Sequence, residues 1–109
     1  MRVIGGRWRG RHLDAPEGRG VTRPTTDRVR EAMASMVLAA CGLSLTSVHV
    51  LDAFAGSGGL GIELLSRGAA SATFVEMNRK SAAVVPSQSL LSWMYALQKL
   101  GCFQEIYFV

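Results

Sequence analysis

The sequence is poor in the residues that staple or metallate small proteins. Its two cysteines, Cys41 and Cys102, stand far apart with no C-x-x-C and no histidine cluster. That excludes a disulfide framework and a metal site, and leaves free thiols in a reducing cytoplasm as the expectation. No apolar run approaches the roughly 20 residues of a membrane span. The amino terminus lacks the apolar core of a secretory signal, and its glycines (5, 6, 10, 18 and 20) oppose the amphipathic helix of a transit peptide. Prolines number three, at 16, 24 and 86, and no two are adjacent. Lysine is missing until Lys80.

What takes its place is arginine. Residues 1–30 hold eight arginines against Asp14, Glu17 and Asp27, a surplus of five in a chain of net charge +4. The excess therefore lies in the amino-terminal quarter. Arginine presents a planar fork of donors that matches phosphate oxygens, where lysine offers a point charge. A basic arm before a nearly neutral body points to nucleic acid, with a solubilising tail as the plain alternative. Read as extended chain, Arg2–Leu13 puts Arg7, Arg9 and Arg11 on one face and Trp8 and His12 on the other, with Gly5-Gly6 able to turn a small hairpin. An arginine row beside an aromatic suits a phosphate track with a stacking platform. Trp8 could equally anchor the arm on the body.

The most specific signal is Val48-His49-Val50-Leu51-Asp52 followed by Ala53-Phe54-Ala55-Gly56-Ser57-Gly58-Gly59-Leu60-Gly61. It reads as a buried strand, a carboxylate at the strand's carboxyl end, a glycine-rich turn and a helix, the unit from which open α/β sheets build nucleotide clefts. The glycines fit G-x-G-x-x-G, but Asp52 sits where it would repel a pyrophosphate. It would accept a ligand with a nucleoside at one end and a cationic amino acid at the other, as in S-adenosylmethionine. A nicotinamide-dependent oxidoreductase uses the same glycine pattern and is the weaker alternative, since Asp52 opposes it and no substrate domain is present. A second strand, Ala72–Glu76, also ends in an acid. Glu76 lies fifteen residues past Gly61, placed to accept ribose hydroxyls.

Between the arm and this unit, Pro24 with Thr25 or Thr26 as N-cap starts a helix that Gly42 stops. Val29, Ala32, Met33, Met36, Val37 and Ala40 follow helical spacing and are read as its buried stripe. Arg23, Arg28 and Arg30 gather at the helix start, where cations oppose the macrodipole at about 0.3–1 kcal/mol each. Pairing with Asp27 and Glu31 is the ordinary explanation, and RNA phosphate the functional one.

Val3-Ile4-Gly5-Gly6, Arg9-Gly10-Arg11-His12-Leu13, Arg23–Ala32, and Leu51 through Ala70 together resemble the bacterial small-subunit ribosomal RNA guanine-N2 methyltransferases. The resemblance is dense over residues 1–85. It implies an α/β, Rossmann-like, S-adenosylmethionine-dependent fold with an RNA-contacting amino-terminal hairpin. It implies methylation of a guanine exocyclic amine in the assembling small subunit. By the family's motif Asp52, Gly56 and Gly58 lie along the cofactor's amino-acid portion, Phe54 lies beside them, and Glu76 holds the ribose. Arg7, Trp8, Arg9, Arg11, Arg23, Arg28 and Arg30 become the RNA-facing set, in a monomeric cytoplasmic protein.

The division expected is a basic arm at 1–22, the amino-terminal part of the methyltransferase domain at 23–85, and an atypical tail at 86–109. In the family an acidic or Asn residue before Pro-Pro and an aromatic grips the flipped base. No such element occurs here. The tail reads as one amphipathic helix, Leu90 to Leu100, and a strand within Phe103–Val109. It is taken as replaced or out of frame, on a truncated and incomplete sheet. The expectation is weak or no cofactor binding and no turnover. A non-catalytic RNA-binding module and an unstable fragment are the alternatives.

Overall fold

In a computed structural model, the structure describes residues 1–13, 26–56, 58–76 and 105–108. Among them no helix is long and apolar enough to cross a membrane. Helix α1 spans Asp27–Ala40, strand β1 His49–Asp52, helix α2 Gly59–Ser66, strand β2 Ser71–Phe74 and strand β3 Glu105–Phe108. The strands form one parallel sheet in the order β1-β2-β3, with Asp52 beside Phe74 and Phe74 beside Phe108. A strand, a helix and a neighbouring parallel strand make the βαβ unit expected of a partial Rossmann-like α/β fold. The pairing continues beyond β1 and β2, where Val75 N–H donates to the Asp52 carbonyl (2.9 Å) and Ala55 N–H to the Val75 carbonyl (2.9 Å).

Helix α2 is enclosed. Gly59 and Gly61 through Ser66 are all buried, and Ile62, Leu64 and Leu65 join Phe74, Ala72 and Ala69 in the core. The helix approaches the sheet closely because Gly61 has no side chain. A Cβ there would stand 2.8 Å from Cζ of Phe74.

Two expectations about burial fail. Thr26 caps α1 as anticipated, its hydroxyl accepting from Val29 N–H at 3.3 Å. The stripe of that helix, however, lies in solvent: Val29, Met33 and Met36 are exposed, Met36 at 71%. Ala32 and Ala40 are exposed as well, and Val37 is half-buried. The inward face instead runs Arg30, Ala34, Val37 and Leu38, a rotation of about one residue or ~100°. Arg30 lies on this inward face, where Asp27 and Glu63 pair with it. β1 is also not fully buried. It is the edge strand of the three described, and Leu51 is 67% exposed.

β3 shows that the apolar end of the chain does pair, parallel to β2. The anticipated helix from Leu90 to Leu100 lies outside the described residues.

Candidate functional site

The carboxyl ends of β1 and β2 bring two acids to one turn. Asp52 is the last residue of β1 and Glu76 lies two residues past β2. Both carboxylates bind the glycine segment between them. Gly56 N–H donates to Oε1 of Glu76 at 2.8 Å, and Gly61 N–H to Oδ2 of Asp52 at 3.2 Å. The three glycines play separate parts. Gly56 and Gly58 adopt left-handed backbone (φ 58° and 91°), which a side chain would strain. Gly58 is the N-cap of α2 and offers no side-chain oxygen, so Asp52 supplies an acceptor to the first turn. Gly61 permits the close packing on Phe74.

Two carboxylates at one turn favour a ligand that brings a cation and hydroxyls over one that brings an anion. Burial pushes the Asp52 carboxyl above the ordinary carboxylate value, hydrogen bonds from Gly61 and Phe54 N–H act against that rise, and the negative charge of Glu76 adds to it. An added phosphate would compound that repulsion. An ammonium group would relieve it. Among the described residues, a Cβ at Gly56 would meet no atom within 4 Å. Phe54, at 90% exposure, stands open above the same turn, where an adenine or another planar group could stack. The donor set therefore fits the amino-acid and ribose portions of S-adenosylmethionine, with Asp52 and Glu76 as acceptors.

The other end of α2 holds what sequence reasoning missed. The side chain of Glu63 is wholly buried. Its Oε1 and Oε2 accept from the N–H groups of Ile4 and Gly5, both at 2.9 Å, and Oε2 pairs with Nε of Arg67 at 3.0 Å. Nε of Arg30 lies 3.5 Å from Oε1. Three residues on, the Ser66 hydroxyl donates to the Gly5 carbonyl at 2.6 Å and accepts from Trp8 N–H at 3.0 Å. The Ser66 carbonyl accepts from Arg7 N–H at 3.0 Å. Positions 63, 66 and 67 share a helix face, and that face grips the amino-terminal segment. The only advance signal was an acid and a serine at i, i+3 inside an otherwise apolar helix.

The gripped segment is a hairpin, as Gly5-Gly6 suggested. Arg2 and His12 form an antiparallel bridge, and Val3 and Gly10 or Arg11 exchange backbone bonds at 2.8 and 2.9 Å. Its tip, residues 5–10, is turn rather than strand. Arg7, Arg9 and Arg11 are therefore exposed but do not form the straight row expected of an extended chain. Trp8 is buried in the core and anchors the hairpin, while the Arg7 guanidinium lies 5.3 Å from the centre of its ring. The Trp8 face is thus not open to a base.

Arg30 is also withdrawn from the surface set. At 1% exposure it bonds to the Arg2 carbonyl and to Asp27 Oδ1 (3.1 Å). Arg28, one residue earlier, remains exposed. Arg23 lies outside the described residues.

The family described as conserved hypothetical protein 95 matches residues 1–94. The ribosomal RNA small subunit methyltransferase D of Escherichia coli K12 is 51% identical over 79 residues, 72% of this chain and 37% of the relative. The protein of the same name from Haemophilus influenzae is 43% identical over 105 residues, covering 96% of this chain and 48% of its own length. Among solved structures, the putative methyltransferase yhhF from Escherichia coli superposes with a TM-score of 0.66 at 40% identity, covering all of this chain and 51% of that one. The chain thus spans less than half the length of either curated relative. Similarity also runs beyond Val85, the expected limit of the resemblance.

Proposed function

The chain belongs to the conserved hypothetical protein 95 family, and on that premise we propose that it is the cofactor-binding part of an rRNA methyltransferase. The donor would be S-adenosylmethionine and the acceptor the N2 amine of a guanine in small-subunit ribosomal RNA. The convergence of Asp52 and Glu76 on one glycine turn carries this reading, because two carboxylates there favour a cationic nucleoside over a pyrophosphate. The names of the relatives supply the RNA.

In this reading Asp52 accepts from the ammonium of the amino-acid portion and Glu76 from the ribose hydroxyls. Gly56 and Gly58 let the backbone come close to both. When bound, the cofactor supplies a methyl group on a sulfonium, and this chain's contribution is to fix its place and direction. The hairpin and the exposed Arg28 face the RNA. No adjacent prolines occur among the 109 residues, so the base-gripping element is not contributed by them. The chain alone binds cofactor weakly and does not turn over.

Calorimetric titration of S-adenosylmethionine into the chain tests this. Weak binding abolished by Asp52→Ala with Glu76→Ala is expected. Preference for a nicotinamide dinucleotide would overturn the cofactor assignment. Tritiated-methyl transfer to unmethylated small subunits would overturn the claim that the chain is incomplete as a catalyst.

A further inference from the structure

The outer face of α1 is apolar, exposed and almost without charge. From Ala32 to Leu51 the sequence holds no lysine, arginine, aspartate or glutamate. Val29, Met33 and Met36 are exposed at 49%, 40% and 71%, and Ala32, Ser35, Ala39 and Ala40 are exposed with them. A surface helix ordinarily turns its charged side chains to water and its apolar ones inward. Here Arg30 is buried and the methionines are not. Leu43 lies just past the helix, 76% exposed and at φ 68°, backbone that leucine rarely adopts. An apolar side chain held in water on strained backbone adds nothing to the core.

Spacing and charge together narrow what covers this face. Val29, Met33, Met36 and Ala40 fall four, three and four residues apart, the alternation of a seam between two helices. Ala32 and Ala39 flank the seam, and small residues there let a second helix approach to about 8–10 Å. Lack of charge disfavours nucleic acid, whose phosphates need cations. The charges that α1 does expose, Asp27, Arg28 and Glu31, all lie at its start. Arg28 thus stands at the unfavourable end of its own helix dipole, while the last turn of α1 carries no basic residue. An antiparallel second copy of α1 answers both, because it sets the Arg28 of each copy against the carboxyl end of the other helix.

We infer that the chain dimerises through α1, two copies of the helix packing antiparallel about a two-fold axis level with residues 34 and 35. Met33 of each copy then meets Met36 of the other, and Val29 meets Ala40. Leu43 covers the outer side of Val29, and Arg28 lies on the rim beside Cys41. Adaptable methionines and a charge-free centre are what such a contact favours. One helix pair buries less than the roughly 800 Å² per partner of a standard interface, so the dimer is weak, with a Kd in the micromolar range. The inner face of α1, with Arg30 and Ala34, stays packed on the body. The inference departs from the monomer implied by the resemblance, and it does not rest on the methyltransferase reading.

Analytical ultracentrifugation of the whole chain over about 1–300 µM should show a monomer–dimer equilibrium. Met36→Lys sets like charges near the axis and should weaken the dimer about tenfold or more. Ala40→Lys should do the same. Both positions are exposed in the single chain, so the melting temperature of dilute protein should not move. Arg28→Glu, which puts an acid at the other helix's carboxyl end, should weaken the dimer about threefold. Nitroxides on the exposed Cys41, with Cys102→Ser, should lie roughly 20 Å apart in the antiparallel pair and about 10 Å apart in a parallel one. A chain that stays monomeric throughout overturns the inference, as does a dimer that neither lysine weakens or a pair of labels at the shorter distance. A monomer that floats with phosphatidylcholine vesicles, and ceases to with Met36→Lys, gives the face to a membrane and overturns it too.

Discussion

The two ends of α2 use the same chemical group for opposite purposes. At the carboxyl-terminal end, Glu63 has two backbone N–H donors and two guanidiniums around it, and nothing is left for a ligand. At the amino-terminal end, Asp52 and Glu76 bind backbone N–H groups of the glycine segment, and the charge of Glu76 adds to the rise of the Asp52 carboxyl. One carboxylate is saturated and locks the hairpin to the body. Asp52 has no ion pair among the described residues. A buried acid with cations in place marks attachment, and one without them marks a place for a ligand to bring its own.

Removing the saturated carboxylate is the most damaging way to break this contrast. Glu63→Ala leaves buried Arg30 with the exposed Asp27 as its remaining carboxylate and releases the Ile4 and Gly5 N–H groups. Breaking a buried pair from one side costs about 3–5 kcal/mol, comparable with the whole stability of many small domains. Urea denaturation should show loss of most of the cooperative transition. A shift of under 1 kcal/mol would mean the lock is ornamental. Next in size is Gly61→Ala, which forces a methyl against Phe74 and should cost about 1–3 kcal/mol by overpacking. Because Gly61 also donates to Asp52, cofactor affinity should fall with stability in that variant. Thr26→Ala removes the cap of α1 and should cost about 1 kcal/mol, with cofactor affinity unmoved. That outcome would separate α1 from the turn.

These contrasts were unequally visible in the sequence. The strand, turn and helix around Asp52 were legible because the information is local: acid, glycines and apolar run lie within sixteen residues, 48 to 63. The Thr26 cap was legible for the same reason. Glu63 and Arg30 were not, because their pairing spans thirty-three positions and exists only after α1 packs on α2. Without that partner Arg30 reads as a surface cation, and helical spacing then points the neighbouring Val29, Met33 and Met36 inward. The buried face runs one residue away from the one that spacing suggests, through Arg30 and Ala34. The hairpin was legible in its glycines, but not the turn at its tip, which depends on Ser66 meeting Gly5, Arg7 and Trp8. The parallel partner of β3 was likewise beyond an apolar run to specify.

The smallest expected effect is the sharpest test, because it has the opposite sign. Burial raises the folded-state value of Asp52 above the 3.8 of an unperturbed carboxyl. The folded chain then holds a proton that the unfolded chain has already released, so stability falls as pH rises through the interval above 3.8. Above that interval the ionised Asp52 remains a standing cost. Asp52→Asn removes it while keeping an oxygen to accept from Gly61. The variant should therefore melt slightly higher than the parent at neutral pH, and the difference should shrink toward acid. Its affinity for S-adenosylmethionine should drop about tenfold or more, the loss of one hydrogen bond to a charged group. A saturated carboxylate such as Glu63 cannot behave this way, since neutralising it strands its arginines. If Asp52→Asn instead destabilised the chain at neutral pH, Asp52 would be a second lock, and the two ends of α2 would be alike.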